Sequence, residues 1–341
     1  MRWPELCREV EIRAQRGDPR GPCAGLHYDS RRIQPGQAFV AIQGETADGH
    51  RFIPEAIRRG AALIVSEQPP PPEPLAWLQV AHARRALAQM SANWFGRPAA
   101  RLQLIGITGT NGKTTTAWLA AAALRAAGVR TGLLGTIEYQ VGPDPAASRR
   151  PSPHTTPESY DLQQLLAEMA TAGCTAAVLE VSSHALVMDR VWGCPFAAAV
   201  FTNLTQDHLD FHHTIEAYRE AKRRLFAGTG AGAPRAAVVN AEDPSSAAMV
   251  AGFPGPVIAY AGPGAPLAAA AAAPAAADPR LTAQLRATAV AASPEGQRIA
   301  VSAPGGWSGA IASPLLARVN VLNTLAAFGA GLALGLPPEQ L

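Results

Sequence analysis

Charge of either sign is in short excess along this chain of 341 residues. The net charge is +3 and no block of Lys or Arg stands out, so nothing in the composition argues for nucleic acid or an anionic membrane as a partner. No run of about 18 strongly apolar residues is present to cross a bilayer. The opening, MRWPELCREVEIRAQRGD, lacks the continuous apolar stretch of a signal peptide. Cysteine is scarce: Cys7, Cys23, Cys174 and Cys194 are far apart and form no C-x-x-C pair. Reduced, structural thiols in the cytoplasm are the expectation. No internal repeat is found. Apolar residues are plentiful, at 48%, ample for sizeable cores, and the length points to two domains. The wealth of Ala, Arg, Gly and Pro fits a GC-rich genome and carries no functional meaning by itself.

The pattern along the chain alternates. AFVAI (38–42) and ALIVS (62–66) read as strands around a helix at 52–61. EQPPPPEP (67–74) is a proline-rich loop, a helix carries Arg84, Arg85, Met90 and Trp94, and GRPAA (96–100) reads as a linker. Then come the strand LQLIGIT (102–108), a glycine loop and a helix. Further strands are expected at 176–182, 197–204 and 236–241, with helices at 158–171 and 214–227. Such alternation predicts a mainly parallel, helix-covered sheet. Residues 261–279 hold a low-complexity, alanine-rich insertion. LTAQLRATAVAA and GQRIAVSA predict a hairpin at the sheet edge, and a last helix is expected near 320–334.

Three stretches carry chemistry. IGITGTNGKTTT (105–116) has strand, glycines, Lys-Thr and helix in the order that wraps a polyphosphate. The common G-x-x-x-x-G-K-[ST] loop would need glycine where Ile107 stands, so this is a variant loop; Lys113 would face the outer phosphates and Thr114 a Mg2+ ion. Five of the eight histidines (His154, His184, His208, His212 and His213) fall within 60 residues. Among them Glu180 sits late in an apolar strand, where open α/β sheets place ligands and where a carboxylate needs a partner. The alternatives are a buried Glu satisfied by hydrogen bonds and a Mg2+ ligand beside Thr114. Lys222 lies fourteen residues after His208. As a cation it could not join a metal site, whereas a neutral buried amine could take up CO2 and become an anionic carbamate; spacing alone favours an ordinary surface lysine.

In order, GITGTNGKTTT, HTTPES, EVSSHAL, FTNLTQDHLDFH and YREAK resemble the motifs of the Mur ligases of peptidoglycan synthesis. DSRRIQPGQAFVAIQGETADGHRFI (29–53) is similar to the uridine-diphosphate domain of the members that add a diamino acid. The resemblance covers nearly the whole chain. It implies an α/β fold: an N-terminal uridine-diphosphate-binding domain at 1–98, and a central P-loop-type ATPase domain with a mainly parallel sheet at 99–341. No stretch of these residues is expected to form the family's third, Rossmann-like domain. The implied activity is an ATP-dependent acid–amino-acid ligase, with ATP and Mg2+ as cofactors. The γ-phosphate passes to the D-glutamate γ-carboxylate of UDP-MurNAc-L-Ala-D-Glu, and the amine of a diamino acid displaces phosphate from the acyl phosphate. Meso-diaminopimelate is the implied amine, with L-lysine as the alternative. A cytoplasmic monomer in cell-wall biogenesis is expected, with no nucleic acid or membrane partner.

The same resemblance assigns residues. Gly109, Thr110, Asn111, Gly112, Lys113, Thr114 and Thr115 would hold ATP, with Asn320 and Asn323 near the adenine. Thr114 and Glu180 would bind one Mg2+. Lys222 matches the family's carbamylated lysine, and with His208 it would hold a second Mg2+; Lys113, Lys222 and His208 form the catalytic set. Ser30, Thr46 and Ala47 would line the nucleotide-sugar site. Thr155, Thr156, Ser182 and Arg190 would hold the muramoyl dipeptide, the forked guanidinium of Arg190 suiting an anionic peptide. His184, His212 and His213 read as structural. Departures are Met188 where a glutamine is frequent, and Ala317 and Val319 where glycine and phenylalanine are usual. The sequence stops at PPEQL, before the D-N-P-R stretch that recognises the diamino acid, so little or no ligation is expected of these residues alone. Rival readings are another Mur ligase or a folylpolyglutamate synthetase, a non-catalytic binder of UDP-muramoyl peptides, and a P-loop motor or signalling NTPase.

Overall fold

The computed structural model describes the chain apart from Arg20, Glu45, Thr46, 71–74, 266–278 and Ala283, and the side chain of Pro279. The candidate residue Thr46, the end of the proline-rich loop and most of the alanine-rich insertion therefore lie outside the described residues. Two compact units divide the chain: Met1–Ala99 with Pro157–Ala167 and Met188–Gly193, and Ala100–Thr156 with Glu168–Val187 and Cys194–Leu341.

In the first unit, β1 (Ile12–Arg16), β2 (Leu26–His27), β3 (Ala38–Val40), β4 (Leu63–Ser66) and β5 (Trp77–Val80) form a sheet in the order β1-β5-β4-β3-β2. All pairs are parallel except β1 with β5. Side chains alternate between faces along a strand, and the sequence uses both faces. Ala38, Val40, Leu63, Val65, Leu78 and Val80 join one core with the helix Ala83–Trp94. Phe39, Ala41, Ile64 and Trp77 join another with Ile53 and Ala56 of the helix Ile53–Arg58. Burial of each large apolar side chain contributes roughly 1.5–3 kcal/mol.

The second unit holds an eleven-stranded sheet. Its strands are β6 (Gln103–Thr108), β7 (Thr131–Leu134), β8 (Glu138–Gln140), β9 (Arg149–Pro151), β10 (Ala176–Glu180), β11 (Phe196–Phe201), β12 (Ala236–Asn240), β13 (Val257–Ala261), β14 (Leu285–Ser293), β15 (Gly296–Ser302) and β16 (Ser308–Ser313). The order is β16-β15-β14-β13-β12-β11-β6-β10-β7-β8-β9. From β14 to β7 every pair is parallel, and antiparallel strands close both edges. The β14–β15 hairpin is present, but β16 pairs beyond it and forms the edge, a strand that SGAIAS signals only weakly. On one face, Ala117, Ala120, Ala121 and Leu124 of the helix Lys113–Ala126 are buried together with Val321, Leu325, Ala326 and Ala330 of the helix Arg318–Ala333. Small residues at helical spacing let both helices approach the sheet closely. Among the described residues no helix is long and apolar enough to cross a membrane, and the four cysteines are free thiols.

His27, at the end of β2, is 3% exposed and its Nδ1 accepts the Asp29 amide at 2.8 Å. Burial, assisted by the charge of Arg32, lowers its pKa from 6.5 to about 4. As pH falls, the unfolded chain binds this proton first. The stability it contributes is whole above about pH 6.5 and is lost from there down to about 4. A urea midpoint followed over that range should fall more steeply for the parent than for His27→Asn, which offers an acceptor but cannot titrate. Equal slopes would remove His27 as the cause.

Candidate active site

Parallel register delivers three strand ends to one level. In the ladders Glu180 of β10 lies opposite Ile107 of β6, and Phe201 of β11 lies opposite Thr108. The chain after each strand therefore turns over the same edge, where open parallel sheets bind ligands. Ile107 is still inside β6 and fully buried, which explains the missing first glycine: the loop opens only at Gly109. There φ is +150°, and a Cβ would collide with Thr202 Oγ1; at Gly112 φ is +82°, and a Cβ would collide with Asn323 Oδ1. Both glycines are demanded by close neighbours.

The stretch after β11 grips this loop. The Thr110 amide donates to Asn203 O (2.8 Å) and the Asn111 amide to Asn203 Oδ1 (3.0 Å). Thr202 Oγ1 and Asn203 Nδ2 donate to Asn111 O at 2.7 and 3.0 Å. Thr110 Oγ1 accepts from the Thr205 amide at 3.0 Å and from the Tyr218 hydroxyl at 3.2 Å. The helix Lys113–Ala126 then starts with no side-chain cap, and the first amide bonded back is that of Thr116, to Gly112 O at 2.9 Å. Helix geometry leaves the amides of Lys113, Thr114 and Thr115 without an intrahelical acceptor, at the positive end of the helix dipole. That is the chemistry of an anion site.

Glu180, 1% exposed, is the hub beside it. Its Oε2 accepts from the hydroxyls of Thr114 (2.8 Å) and Thr136 (3.2 Å), and its Oε1 from the Thr136 amide (2.8 Å). Its backbone carbonyl accepts from Thr156 Oγ1 at 2.8 Å. Thr155 Oγ1 lies 3.0 Å from Thr136 Oγ1, and the Ser182 amide donates to Thr156 Oγ1 at 3.1 Å. Thr114, Glu180, Thr155, Thr156 and Ser182 thus form one cluster. Sequence reasoning missed Thr136, although it follows the apolar strand β7 as Glu180 ends β10. Among the described residues no three His, Cys, Asp or Glu side chains converge as a metal site. The Glu180–Thr114 pair supplies one carboxylate and one hydroxyl, a donor set that suits Mg2+, which keeps several waters and takes few protein ligands.

Only two of the 29 basic residues are lysines, and both meet at one atom. Lys113 Nζ donates to Gly109 O at 2.9 Å and to Thr110 O at 2.9 Å, and Lys222 Nζ donates to Gly109 O at 2.8 Å. Lys222 is 1% exposed and lies over the Tyr218 ring, 4.2 Å from its centroid. Burial, and then the charge of Lys113, push its pKa well below the ordinary lysine value, against the pull of Asp207. Lys113 is lowered too, mainly by burial. A count of lysines would have singled out both. His208, at a left-handed φ of 51°, packs edge-on to His184 at 4.9 Å and lies 6.1 Å from the Tyr218 ring. Its Nε2 is 3.6 Å from Asp207, and no hydrogen bond or ion pair among the described residues joins it to Lys222. His212 is buried and its Nε2 lies 2.9 Å from Ser183 Oγ, a structural contact.

Asn320 Oδ1 accepts from Asn323 Nδ2 at 3.1 Å, which places the pair beside Gly112 and Thr116. The remaining candidates belong to the first unit. Ser30 Oγ donates to Glu55 Oε2 at 2.8 Å, and Ala47 O accepts the Gly44 amide at 2.9 Å; no hydrogen bond among the described residues joins Ser30 and Ala47. Arg190 Nε lies 3.6 Å from Glu158 Oε2, which also receives Arg84 Nη1 at 2.9 Å. Arg84 Nη1 further donates to Met188 O at 3.3 Å, so position 188 contributes its backbone here.

With this geometry established, the Mur ligase middle domain matches residues 107–331, and the domain described as "Mur ligase family, catalytic domain" matches 22–95. The chain is a member of the Mur ligase family. It is 44% identical over 328 residues to the UDP-N-acetylmuramoyl-L-alanyl-D-glutamate--2,6-diaminopimelate ligase of Solibacter usitatus (strain Ellin6076), covering 92% of this chain and 60% of that protein. It is 39% identical over 346 residues to the enzyme of the same name from Geobacter metallireducens (strain ATCC 53774 / DSM 7210 / GS-15), covering 100% and 63%. A solved structure of a ligase with that name aligns at a TM-score of 0.78 and 28% identity, over 100% of this chain and 65% of the other. This family member spans about three fifths of the length of the curated relatives it matches.

Ala317, which precedes the helix Arg318–Ala333, has φ 80° and ψ 150°. That region is almost reserved for glycine and costs a residue with a Cβ about 1–3 kcal/mol. Ala317→Gly should stabilise the second unit by about 1 kcal/mol, after the entropy cost of glycine, read as a higher urea midpoint. A lower midpoint would show that the conformation is not strained.

Proposed function

We propose that this chain binds Mg-ATP and a UDP-muramoyl dipeptide, as the nucleotide-binding part of an ATP-dependent acid–amino-acid ligase of peptidoglycan precursor synthesis. The observation that supports it most is the open row of amides at Lys113, Thr114 and Thr115 beside the Thr114–Glu180 pair. The proposed substrate is UDP-MurNAc-L-Ala-D-Glu, with meso-diaminopimelate as the amine and L-lysine as the alternative; the names of the relatives favour the former. The proposed domains are 1–98 for the uridine nucleotide and 99–341 for ATP, acting in the cytoplasm on soluble precursors.

In this reading the helix amides and Lys113 hold the phosphate chain, an electrostatic role that matters most as charge shifts during phosphoryl transfer. Lys113 would leave the carbonyls of Gly109 and Thr110 to do so. Mg2+, held by Thr114 and Glu180, supplies charge neutralisation on the phosphoryl oxygens. Thr136 orients Glu180 through two donors. Thr155, Thr156 and Ser182 lie on the same cluster and, with Arg190, are proposed to hold the muramoyl dipeptide; Ser30, Thr46 and Ala47 are proposed for the nucleotide sugar.

Lys222 is proposed to carry a carbamate. Its amine lone pair forms the N–C bond to CO2, one amine proton passes to solvent, and one N–H is kept, for which Gly109 O is the standing acceptor. Both requirements, burial and a depressed pKa, favour the neutral amine. His208 is proposed to act beside it at a second Mg2+.

Calorimetric titration of the 341-residue chain with Mg-ATP and with UDP-MurNAc-L-Ala-D-Glu tests the reading. Both should bind, and Lys113→Ala should weaken Mg-ATP by at least about tenfold through loss of a charge-assisted contact, with the UDP substrate unaffected. Absence of both bindings would overturn the proposal. For these residues assayed alone, little amide formation is expected on adding diaminopimelate, and ordinary turnover would overturn that expectation.

Carbamylation has a separate readout. In 13C-bicarbonate, a carbamate carbon resonance should persist in Lys113→Arg and disappear in Lys222→Arg. Its presence in Lys222→Arg would exclude the assignment.

A further inference from the structure

The phosphate loop is shaped by a second tier of residues that none of the site motifs contains. Beyond the Thr202–Thr205 stretch lies the end of β12. Asn240 Nδ2 donates to Thr202 O at 2.9 Å, and its Oδ1 accepts the Glu242 amide at 3.0 Å. Asp243 Oδ2 accepts the Leu204 amide at 2.8 Å, and its Oδ1 accepts the Ser245 amide at 2.8 Å. The Tyr260 hydroxyl donates to Phe201 O at 3.1 Å. Asn240, Asp243 and Tyr260 are 6%, 9% and 1% exposed. Phe201, Thr202 and Leu204 at the β11 exit are therefore tied from behind, while Thr202, Asn203 and Thr205 make polar contacts to Thr110 and Asn111 on the other side.

We infer that Asp243 and Asn240 are positioning residues for the phosphate site: they fix Thr202–Leu204, which in turn fixes Thr110 and Asn111. The inference rests on the nucleotide-binding reading of the loop. Its physical ground is that the part-buried Leu204 amide and the buried Ser245 amide share one carboxylate as acceptor. Substitution of that carboxylate leaves them unpaired or hydrated, and releases Leu204 to shift. The Thr110 and Asn111 amides are held by Asn203 alone, so a shift there is transmitted to the start of the helix Lys113–Ala126. Sites of this kind tolerate displacements of only about half an ångström. Neither Asp243 nor Asn240 makes a hydrogen bond to the loop or to the asparagines at 320 and 323, so the effect should fall on phosphate recognition and spare the base.

The test compares Mg-ADP with adenosine on the full 341-residue chain, well below the melting temperature of each variant. Asp243→Ala removes both acceptors. Asp243→Asn is isosteric, keeps one acceptor and turns an amide toward the other donor, and it serves if the alanine variant does not fold. Expected is a loss of Mg-ADP affinity of about tenfold in Asp243→Ala and a smaller loss in Asp243→Asn, with adenosine changed less than about twofold in both. A residue that merely stabilises the fold would lower the melting temperature without this selectivity. Mg-ADP affinity equal to the parent's in either folded variant, or an equal loss for both ligands, overturns the inference. Failure of the parent itself to bind Mg-ADP would instead overturn the nucleotide-binding reading, so the two failures are distinct.

Discussion

Everything at the candidate site depends on the in-register parallel pairing of β10, β6 and β11. Because Glu180 stands opposite Ile107 and Phe201 opposite Thr108, three chain segments leave the sheet at the same height and in the same direction. One becomes the phosphate loop, one ends in the carboxylate, and one turns back to grip the loop. A one-residue slip of β10 against β6 would turn Glu180 to the opposite face, and one of β11 against β6 would take Thr202 from where Gly109 leaves room for it. The buried, apolar strands around them (Ala176–Leu179, Ala198–Val200, Val238–Val239) make such a slip expensive, so the geometry of a few polar atoms is secured by the packing of many apolar ones.

The polar atoms are arranged so that few are idle. The buried side chain of Glu180 accepts from three donors on two other segments, in accord with the rule that buried polar groups are retained only when they are hydrogen-bonded. The resting partners of Lys113 are main-chain carbonyls, which are neutral and therefore weaker than a phosphate oxygen. An incoming anion can draw the lysine away without breaking an ion pair. Lys222 likewise donates to the Gly109 carbonyl and forms no ion pair among the described residues. The loop thus presents an arrangement that costs little to leave.

Much of this was legible in the sequence, and the limits are physical. The loop, Glu180 and the order of strands around them were readable because each is a local pattern: glycines before Lys-Thr, a carboxylate ending an apolar run, β/α alternation. The outer strands were not, since β1 and β9 are exposed along most of their length, β16 is half-exposed and β8 has only three residues. Thr136, Asn203, Tyr218, Asn240 and Asp243 were not singled out either, because their roles arise from partners 38 to 108 positions away and leave no trace in spacing. The left-handed Ala317 was visible only as a departure from a familiar motif, and its backbone angles give that departure a cost. Ser30 and Ala47, which the motif places together, have separate local partners.

The near-absence of lysine has a further meaning. Arginine and lysine carry the same charge, but only lysine can give up its proton within reach of neutral pH or form a covalent bond through its terminal nitrogen. Along this chain arginine occupies every basic position except 113 and 222. Its composition therefore resembles a completed replacement experiment, in which each cation needed only for charge or solubility has been exchanged and two have not. The survivors are the compact ammonium aimed along the phosphate loop and the buried amine behind it, so a reagent that acylates amines would find, apart from the chain terminus, nothing but the site.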